Sequence, residues 1–125
     1  MKKFYVCEHC GNVIEKHVDS KVPVMCCGSK MTELVANTVE ASVEKHLPII
    51  SVEGNKVIVN VGSVAHPMTA EHLIQWVYLE TDLGGSVKYL SSESAPNVEF
   101  ALAEGEKAIS VYAYCNLHGL WKTDV

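Results

Sequence analysis

Four of the five cysteines in this chain fall within its first 27 residues, in a segment that is otherwise rich in turn-forming residues. They form one C-x-x-C pair and one adjacent pair: Cys7, Cys10, Cys26 and Cys27. A segment of this length is generally too small to stabilise itself by burying apolar surface. A bound metal ion would supply the missing free energy, because small thiolate modules fold around their ion. We therefore expect residues 1–36 to form a small metal-stapled module.

The fifth cysteine, Cys115, lies near the other end of the chain in the C-x-x-H sequence Cys115-Asn116-Leu117-His118. Three further histidines occur between the two cysteine groups, and the full set is His46, His66, His72, Cys115 and His118. Any one of these histidines alone would be interpreted as a surface or hydrogen-bonded residue. Four of them at loop positions of one β-rich region, together with a free thiol, indicate a second metal site.

The two donor sets suit different ions. Four thiolates suit tetrahedral zinc or a mononuclear iron, and the spacing alone does not separate these two metals. Two disulfides fit poorly with a reducing compartment. Four imidazoles and one thiolate provide five donors and leave one octahedral position open, which suits redox-active iron better than zinc. A thiolate opposite an open position donates electron density towards whatever binds there.

Residues 37–125 read as an antiparallel β-sandwich, because short β-rich runs alternate with turn signals. The predicted strands are Thr38–Glu44, Ile49–Val52, Lys56–Val61, Ile74–Thr81, Val87–Leu90, Val98–Leu102 and Ala108–Tyr114. Glu53-Gly54-Asn55 predicts a turn, and Val57, Val59 and Val61 should share one face. The pattern allows one helical turn, around Thr69–Leu73, with Thr69 as its N-cap. The expected fold class is therefore all-β.

The composition restricts the partners. The net charge is −5 and the lysines are scattered, so the chain has no nucleic-acid footprint. No apolar run approaches the roughly 18 residues that span a bilayer, and the first residues have no apolar signal-peptide core. These features predict a cytoplasmic protein without membrane or nucleic-acid partners. An anionic substrate would need a local positive charge to attract it.

The sequences Glu44-Lys45-His46, His66-Pro67-Met68 and Cys115-Asn116-Leu117-His118-Gly119-Leu120-Trp121, together with His72, resemble superoxide reductase. With the four N-terminal cysteines added, the chain resembles the two-iron form of that family, desulfoferrodoxin. The resemblance covers essentially the whole chain. It implies a desulforedoxin-like module over residues 1–36 and a neelaredoxin-like catalytic domain, an immunoglobulin-like β-sandwich, over residues 37–125.

This resemblance implies an enzyme that detoxifies superoxide by one-electron reduction to hydrogen peroxide. It implies two non-haem iron ions: a centre of four cysteines that transfers electrons, and a catalytic centre with four equatorial histidines and axial Cys115. Lys45 matches the lysine that attracts the anion and organises water for proton delivery. Glu44 matches the carboxylate that occupies the sixth position in the oxidised resting state. The resemblance also implies a rubredoxin-like electron donor and a homodimer.

Three other functions remain open from the residues alone. A superoxide dismutase would release oxygen alongside peroxide. A non-catalytic electron carrier would hold iron at both sites without substrate access. A zinc-stapled binding module would be colourless, because zinc has no visible absorption.

Overall fold

The structure, a computed structural model, describes residues 2–125, and these form two compact units that divide between Val35 and Ala36. Strands dominate both units, and the one helix among the described residues is the four-residue segment Val43–His46 (α1). The all-β class expected from the sequence is confirmed. None of the helical structure in residues 2–125 is long and apolar enough to cross a membrane.

The first unit is built from very short strands. They are Phe4–Val6 (β1), Val13–Glu15 (β2), Met25–Cys26 (β3), Ser29–Lys30 (β4) and Thr32–Leu34 (β5). β1 is the centre of an antiparallel sheet with the order β2-β1-β5, and β3 and β4 form a separate hairpin. Among residues 2–35, the buried apolar side chains are those of Phe4, Val6 and Cys7. So small a core leaves the unit dependent on another source of stability.

The second unit consists of two antiparallel sheets, with the strand orders β10-β7-β6 and β12-β11-β8-β9. The strands are Pro48–Glu53 (β6), Lys56–Val61 (β7), Ile74–Thr81 (β8), Gly84–Tyr89 (β9), Asn97–Ala101 (β10), Ala108–Cys115 (β11) and Gly119–Asp124 (β12). Turn residues Gly54 and Asn55 join β6 to β7, as the sequence predicts.

The core of the second unit combines apolar side chains from both sheets. Its buried members are Val57, Val59, Val61, Ile74, Val77, Leu79, Phe100, Val111, Ala113 and Cys115. The alternation in β7 places its three valines on one face, as expected for a strand with one buried side. Cys115 is fully buried at the end of β11, so its side chain belongs to the core at the point where the strand meets the following loop.

The predicted strand Thr38–Glu44 is wrong, because this segment leads into α1 instead of pairing with a sheet. Glu44 lies in the first turn of α1 and Lys45 in the last, where their charges favour the helix dipole. The helix ends at His46, and the next residue, its C-cap Leu47, is extended at φ −67° and ψ 126°. Pro48 follows directly and disfavours the helical conformation in the residue before it.

The predicted helical turn at Thr69–Leu73 is also wrong. Thr69 does accept a hydrogen bond at its Oγ1, from the backbone N–H of His72 at 3.1 Å. The Thr69 N–H in turn donates to the His72 carbonyl at 2.9 Å, which closes a local bend. A threonine side chain can stabilise such a turn as readily as a helix N-terminus.

The sheet containing β8 and β11 extends further than the sequence predicts. The sequence predicts no strand after Ala108–Tyr114, but β12 follows the loop at Cys115–His118 and pairs with β11. β9 begins at Gly84 instead of Val87, so the Gly84-Gly85 pair is part of a strand. A Cβ atom at Gly85 would collide with the ring of Tyr78, so glycine is required there for close packing.

Candidate metal centres

Four thiol groups converge in the N-terminal unit, in a cluster that we call the first centre. Its sulfur atoms lie within 4.8 Å of one another and belong to Cys7, Cys10, Cys26 and Cys27. A turn closed by the hydrogen bond from Gly11 N to Cys7 O, at 2.9 Å, brings Cys10 back beside Cys7. The Sγ atoms of Cys10 and Cys26 are 3.6 Å apart. The structure thus brings together all four cysteines that the sequence singles out.

The adjacent pair Cys26-Cys27 reaches the first centre through an unusual turn. Cys27 and Gly28 connect β3 to β4 with φ values of 53° and 76°, so both residues are left-handed. This pattern is typical of a type I′ hairpin turn. The left-handed conformation costs roughly 1–2 kcal/mol at a residue with a side chain, such as Cys27. In this turn, the Sγ atoms of Cys26 and Cys27 lie 4.0 Å apart.

The thiols of the first centre do not ionise alike. The backbone N–H of Cys10, 3.5 Å from Cys7 Sγ, is the main reason why the pKa of Cys7 falls to about 6. Hydrogen bonds with the sulfurs of Cys10 and Cys7 are the largest causes that raise the pKa of Cys27 to about 12. Four sulfurs this close retain protons between them unless a cation balances their charge. This arrangement fits a thiolate-bound metal ion.

A second cluster, which we call the second centre, occupies one end of the β-sandwich and comprises His46, His66, His72, Cys115 and His118. His46 ends α1, His66 and His72 lie in the loop between β7 and β8, and the last two flank the β11–β12 turn. Donor atoms of the first four lie within 4.8 Å of one another. The Nδ1 atom of His118 is 3.2 Å from His46 Nε2 and 3.9 Å from Cys115 Sγ.

The four imidazole rings of the second centre form a closed cycle. Neighbouring ring centroids are 4.6 Å apart for His46–His66, 4.7 Å for His66–His72, and 5.0 Å for both His72–His118 and His118–His46. The interplanar angles of these four pairs lie between 74° and 90°. Each ring therefore stands nearly perpendicular to its neighbours, and all four turn a nitrogen towards one shared space.

Hydrogen bonds to backbone carbonyl groups determine which ring nitrogen of His46 and His66 faces the shared space. The Nδ1–H of His46 donates to Ser42 O and that of His66 to Pro67 O, each at 2.6 Å. Their unprotonated Nε2 atoms then face each other at 3.1 Å. The Nε2 atom of His72 is buried and has no hydrogen-bond partner among the described residues. Facing lone pairs and a buried nitrogen without a partner are both accounted for by a cation between the rings.

Burial favours the neutral form of three histidines of the second centre, His46, His66 and His72. It is the largest cause that lowers the pKa values of His46 and His72, and it lowers the pKa of His66 to about 4. Neutral imidazole is the form that binds a metal ion. The donor set is therefore ready for a cation near neutral pH without first losing protons from these three rings.

Two opposing effects act on the pKa of the Cys115 thiol. Burial raises this pKa, and the backbone N–H groups of Leu117 and His118 lower it. The backbone N–H of Asn116, the residue directly after Cys115, is not one of the groups that lower this pKa. The N–H of Asn116 instead donates to Leu73 O at 3.3 Å, so His118 supplies the second donor. These N–H groups would favour a thiolate bound to a metal ion.

Lys45 and Glu44 reach different surroundings from the same short helix. Lys45 is half-buried, and its positive charge is among the causes that lower the pKa values of His46 and His72, after burial. The charge of Lys45 therefore acts on two histidines of the second centre. Glu44 is exposed and lines a shallow surface cavity with Val43, Leu47, Ile49 and Ser63.

Two supporting residues complete the second centre. Trp121 stacks on His46 with ring centroids 5.0 Å apart and donates from Nε1 to His118 O at 3.1 Å. Gly62, which the sequence analysis does not single out, has a φ of +86°, and a Cβ there would lie 2.7 Å from the carbonyl of Lys45. A glycine directly after a valine-rich strand is a signal for this kind of close backbone approach.

Acidification should destabilise the metal-free protein, because burial holds the pKa of His66 at about 4 in the fold, below its ordinary value of 6.5. In that interval the unfolded chain binds a proton that the folded chain does not. The contribution of His66 to stability is therefore present above pH 6.5 and is lost as the pH falls towards 4. The free energy of unfolding, measured with urea at several pH values in this interval, should depend less steeply on pH in a His66→Gln variant than in the parent protein. The slope should be smaller by up to about 1.4 kcal/mol per pH unit.

The matched control for this measurement is His9→Gln, because His9 is exposed and lies outside the second centre. Its pH slope should equal that of the parent protein. Equal slopes for the parent and the His66→Gln variant would contradict the role assigned to burial of His66.

Comparison with known proteins reveals close relatives over nearly the full length. A family model described as Desulfoferrodoxin matches residues 38–124. Desulfoferrodoxin from Syntrophotalea carbinolica is 42% identical over 120 residues, covering 96% of this chain and 94% of that protein. The crystal structure of the superoxide reductase from Treponema pallidum matches with a TM-score of 0.84 at 37% identity and covers 99% of both chains. The 1Fe superoxide reductase from Giardia intestinalis matches at 31% identity and a TM-score of 0.57, covering 66% of this chain and 97% of its own.

Proposed function

The chain belongs to the desulfoferrodoxin family, and we propose that it is a superoxide reductase. In the proposed reaction, superoxide gains one electron and two protons and becomes hydrogen peroxide. A non-haem iron ion bound at the second centre would supply the electron. The observation that carries the proposal is the closed cycle of four imidazoles next to the buried thiol of Cys115.

The donor chemistry supports iron at the second centre. The residues proposed to hold it are His46, His66, His72, His118 and Cys115. Three of these imidazoles are kept neutral by burial, and the thiol receives two backbone N–H groups that stabilise its anionic form. Imidazole combined with a single thiolate suits a redox-active iron better than a structural zinc.

Lys45 is proposed to attract the substrate. The protein carries a net charge of −5 and would on average repel an anion such as superoxide. The positive charge of Lys45 acts on His46 and His72, which supports a role for this charge in countering that repulsion at the second centre. A half-buried ammonium group can also order water and so support proton delivery to the reduced substrate.

Replacing Lys45 by glutamine should slow the bimolecular reaction with superoxide by about tenfold or more, because a local charge can raise the on-rate of a charged ligand by 10–10³-fold. The parent rate should also fall as salt is added, whereas the variant rate should change little. Pulse-generated superoxide mixed with the reduced protein, followed by optical absorption, measures both rates.

The control is Lys56→Gln, which removes the same charge from an exposed position at the start of β7. It should retain the parent rate. An unchanged rate in the Lys45→Gln variant, or an equal loss in both variants, would contradict steering by Lys45.

The reaction itself is tested by its products. The reduced protein should yield one peroxide for each superoxide consumed and release no oxygen. A superoxide dismutase would instead yield one peroxide and one oxygen for every two superoxide ions. Oxygen release at that ratio would overturn the reductase proposal.

Glu44 is proposed as a carboxylate that closes the second centre in the oxidised protein. It precedes Lys45 on α1 and is exposed in this structure, so its side chain is free to change position. A Glu44→Ala variant that kept the oxidised spectrum of the parent protein would contradict this role.

The first centre is proposed to be an iron site that accepts electrons from a rubredoxin-like protein. Cys10 and Cys27 are exposed, which suits transfer from an external donor. All five cysteines are free thiols, which fits a reducing cytoplasm. We further propose a homodimer, as the family resemblance implies, and light scattering would measure its mass.

A further inference from the structure

The side chain of Asn116 connects the two loops that supply the second centre. Its Oδ1 accepts a hydrogen bond from the backbone N–H of Leu73 at 3.0 Å, and its Nδ2 donates to the carbonyl of Glu71 at 2.8 Å. Its own backbone N–H donates to the carbonyl of Leu73 at 3.3 Å. Asn116 follows Cys115 directly, whereas Glu71 and Leu73 flank His72 on both sides.

These three bonds hold His72 in a manner that differs from two other rings of the cycle. His46 and His66 are oriented through their rings, because a backbone carbonyl accepts from each Nδ1–H. His72 is held through its backbone, on one side by the Thr69 turn and on the other by Asn116. Its Nε2 is nevertheless buried and has no hydrogen-bond partner within residues 2–125, so the loop that carries His72 positions the ring.

We propose that Asn116 is a positioning residue that keeps His72 within reach of the ion shared with Cys115. The amide can form this bridge only because it donates and accepts at once, and a carboxylate of the same shape cannot donate to Glu71 O. Groups that orient metal ligands without touching the metal typically contribute about 10–100-fold to metal affinity. The inference rests on the proposed iron site, and it adds a residue whose role the ligand set alone does not reveal.

A second asparagine in the same unit provides a matched control. Asn37 Nδ2 donates to Lys122 O at 3.1 Å, and its Oδ1 accepts from Lys122 N at 2.9 Å. The backbone N–H of Asn37 donates to Leu120 O at 3.0 Å. This bridge has the same pattern of two side-chain bonds and one backbone bond, but the residue that it flanks is Trp121, which supports His46 by stacking, and not a histidine of the second centre.

The test compares Asn116→Asp with Asn37→Asp in full-length protein loaded with ⁵⁷Fe. Mössbauer spectra distinguish iron in a nitrogen-rich site from iron bound only by sulfur, so each centre can be followed separately during titration with a chelator. We expect Asn116→Asp to lose iron from the second centre at a chelator concentration about 10–100-fold lower than the parent protein requires. The variant should retain iron in the first centre. Asn37→Asp should match the parent at both centres.

A second variant guards against a general folding defect. Asn116→Ser is smaller and neutral, and it should also release iron from the second centre more readily while its thermal unfolding stays near that of Asn37→Asp. Parent-like iron retention by both Asn116 variants would overturn the positioning role. An equal loss of iron in Asn37→Asp would overturn it as well. A parent protein that holds no iron in a nitrogen-rich site would instead contradict the proposed function.

Discussion

Replacing Cys115 with alanine should reduce superoxide reduction by more than about a hundredfold while the first centre keeps its metal. Even residues that merely orient metal ligands contribute about 10–100-fold, and Cys115 is the one sulfur in the second centre. Without it, four imidazoles remain and no thiolate balances the charge of the ion. Peroxide yield after mixing with superoxide, together with Mössbauer spectra of both iron sites, measures the loss.

Alanine is the informative substitution because Cys115 also belongs to the apolar core, where it is fully buried. Serine would place a hydroxyl group there, and an unsatisfied buried hydroxyl costs about 1–3 kcal/mol. Val111→Ala is the matched control, because Val111 is fully buried in the same strand and donates nothing to the second centre. It should lose stability and keep its activity. A Cys115→Ala protein with more than a tenth of the parent activity would contradict the assignment of this thiol.

The residues of both centres could be singled out from the sequence because their chemistry is rare at such spacing. Four cysteines in a segment with almost no core, and a C-x-x-H sequence near the end, leave few other interpretations. The antiparallel sandwich could be predicted from the alternation in β7, whose three valines are buried as expected. The alternation of apolar and polar residues was enough to predict a strand such as β7, in which one face is buried and the other is not.

Local pattern failed where contacts distant in sequence decide the conformation. The segment before Lys45 reads as β-rich, yet Pro48 ends a helix there and Gly62 allows a close approach to the Lys45 backbone. Thr69 has the chemistry of a helix cap but closes a turn around His72. The bridge from Asn116 to Glu71 joins residues 45 positions apart, so it depends on how two loops meet. Such contacts follow from the assembled fold and not from any window of sequence.

Removing one ligand of the first centre should unfold the N-terminal unit and leave the β-sandwich intact. Cys10→Ala is the change of choice because Cys10 is exposed, so the substitution leaves the small core of Phe4, Val6 and Cys7 unchanged. Structural metal ions in such modules contribute about 10 kcal/mol or more of folding free energy. Backbone amides of β1, β2 and β5 should therefore lose more than about a hundredfold of their protection against hydrogen exchange. Amides of β8 and β11 should retain theirs.

His9→Ala is the control, because His9 lies in the same turn, between Cys7 and Cys10, and is also exposed. Its amide protection should match the parent protein in both units. Chelation of the parent protein should reproduce the Cys10→Ala pattern, since both remove the ion from the same thiolates. Full protection of β1 in the Cys10→Ala protein would show that the few buried side chains suffice. The four cysteines would then serve electron transfer alone, without a role in holding the fold.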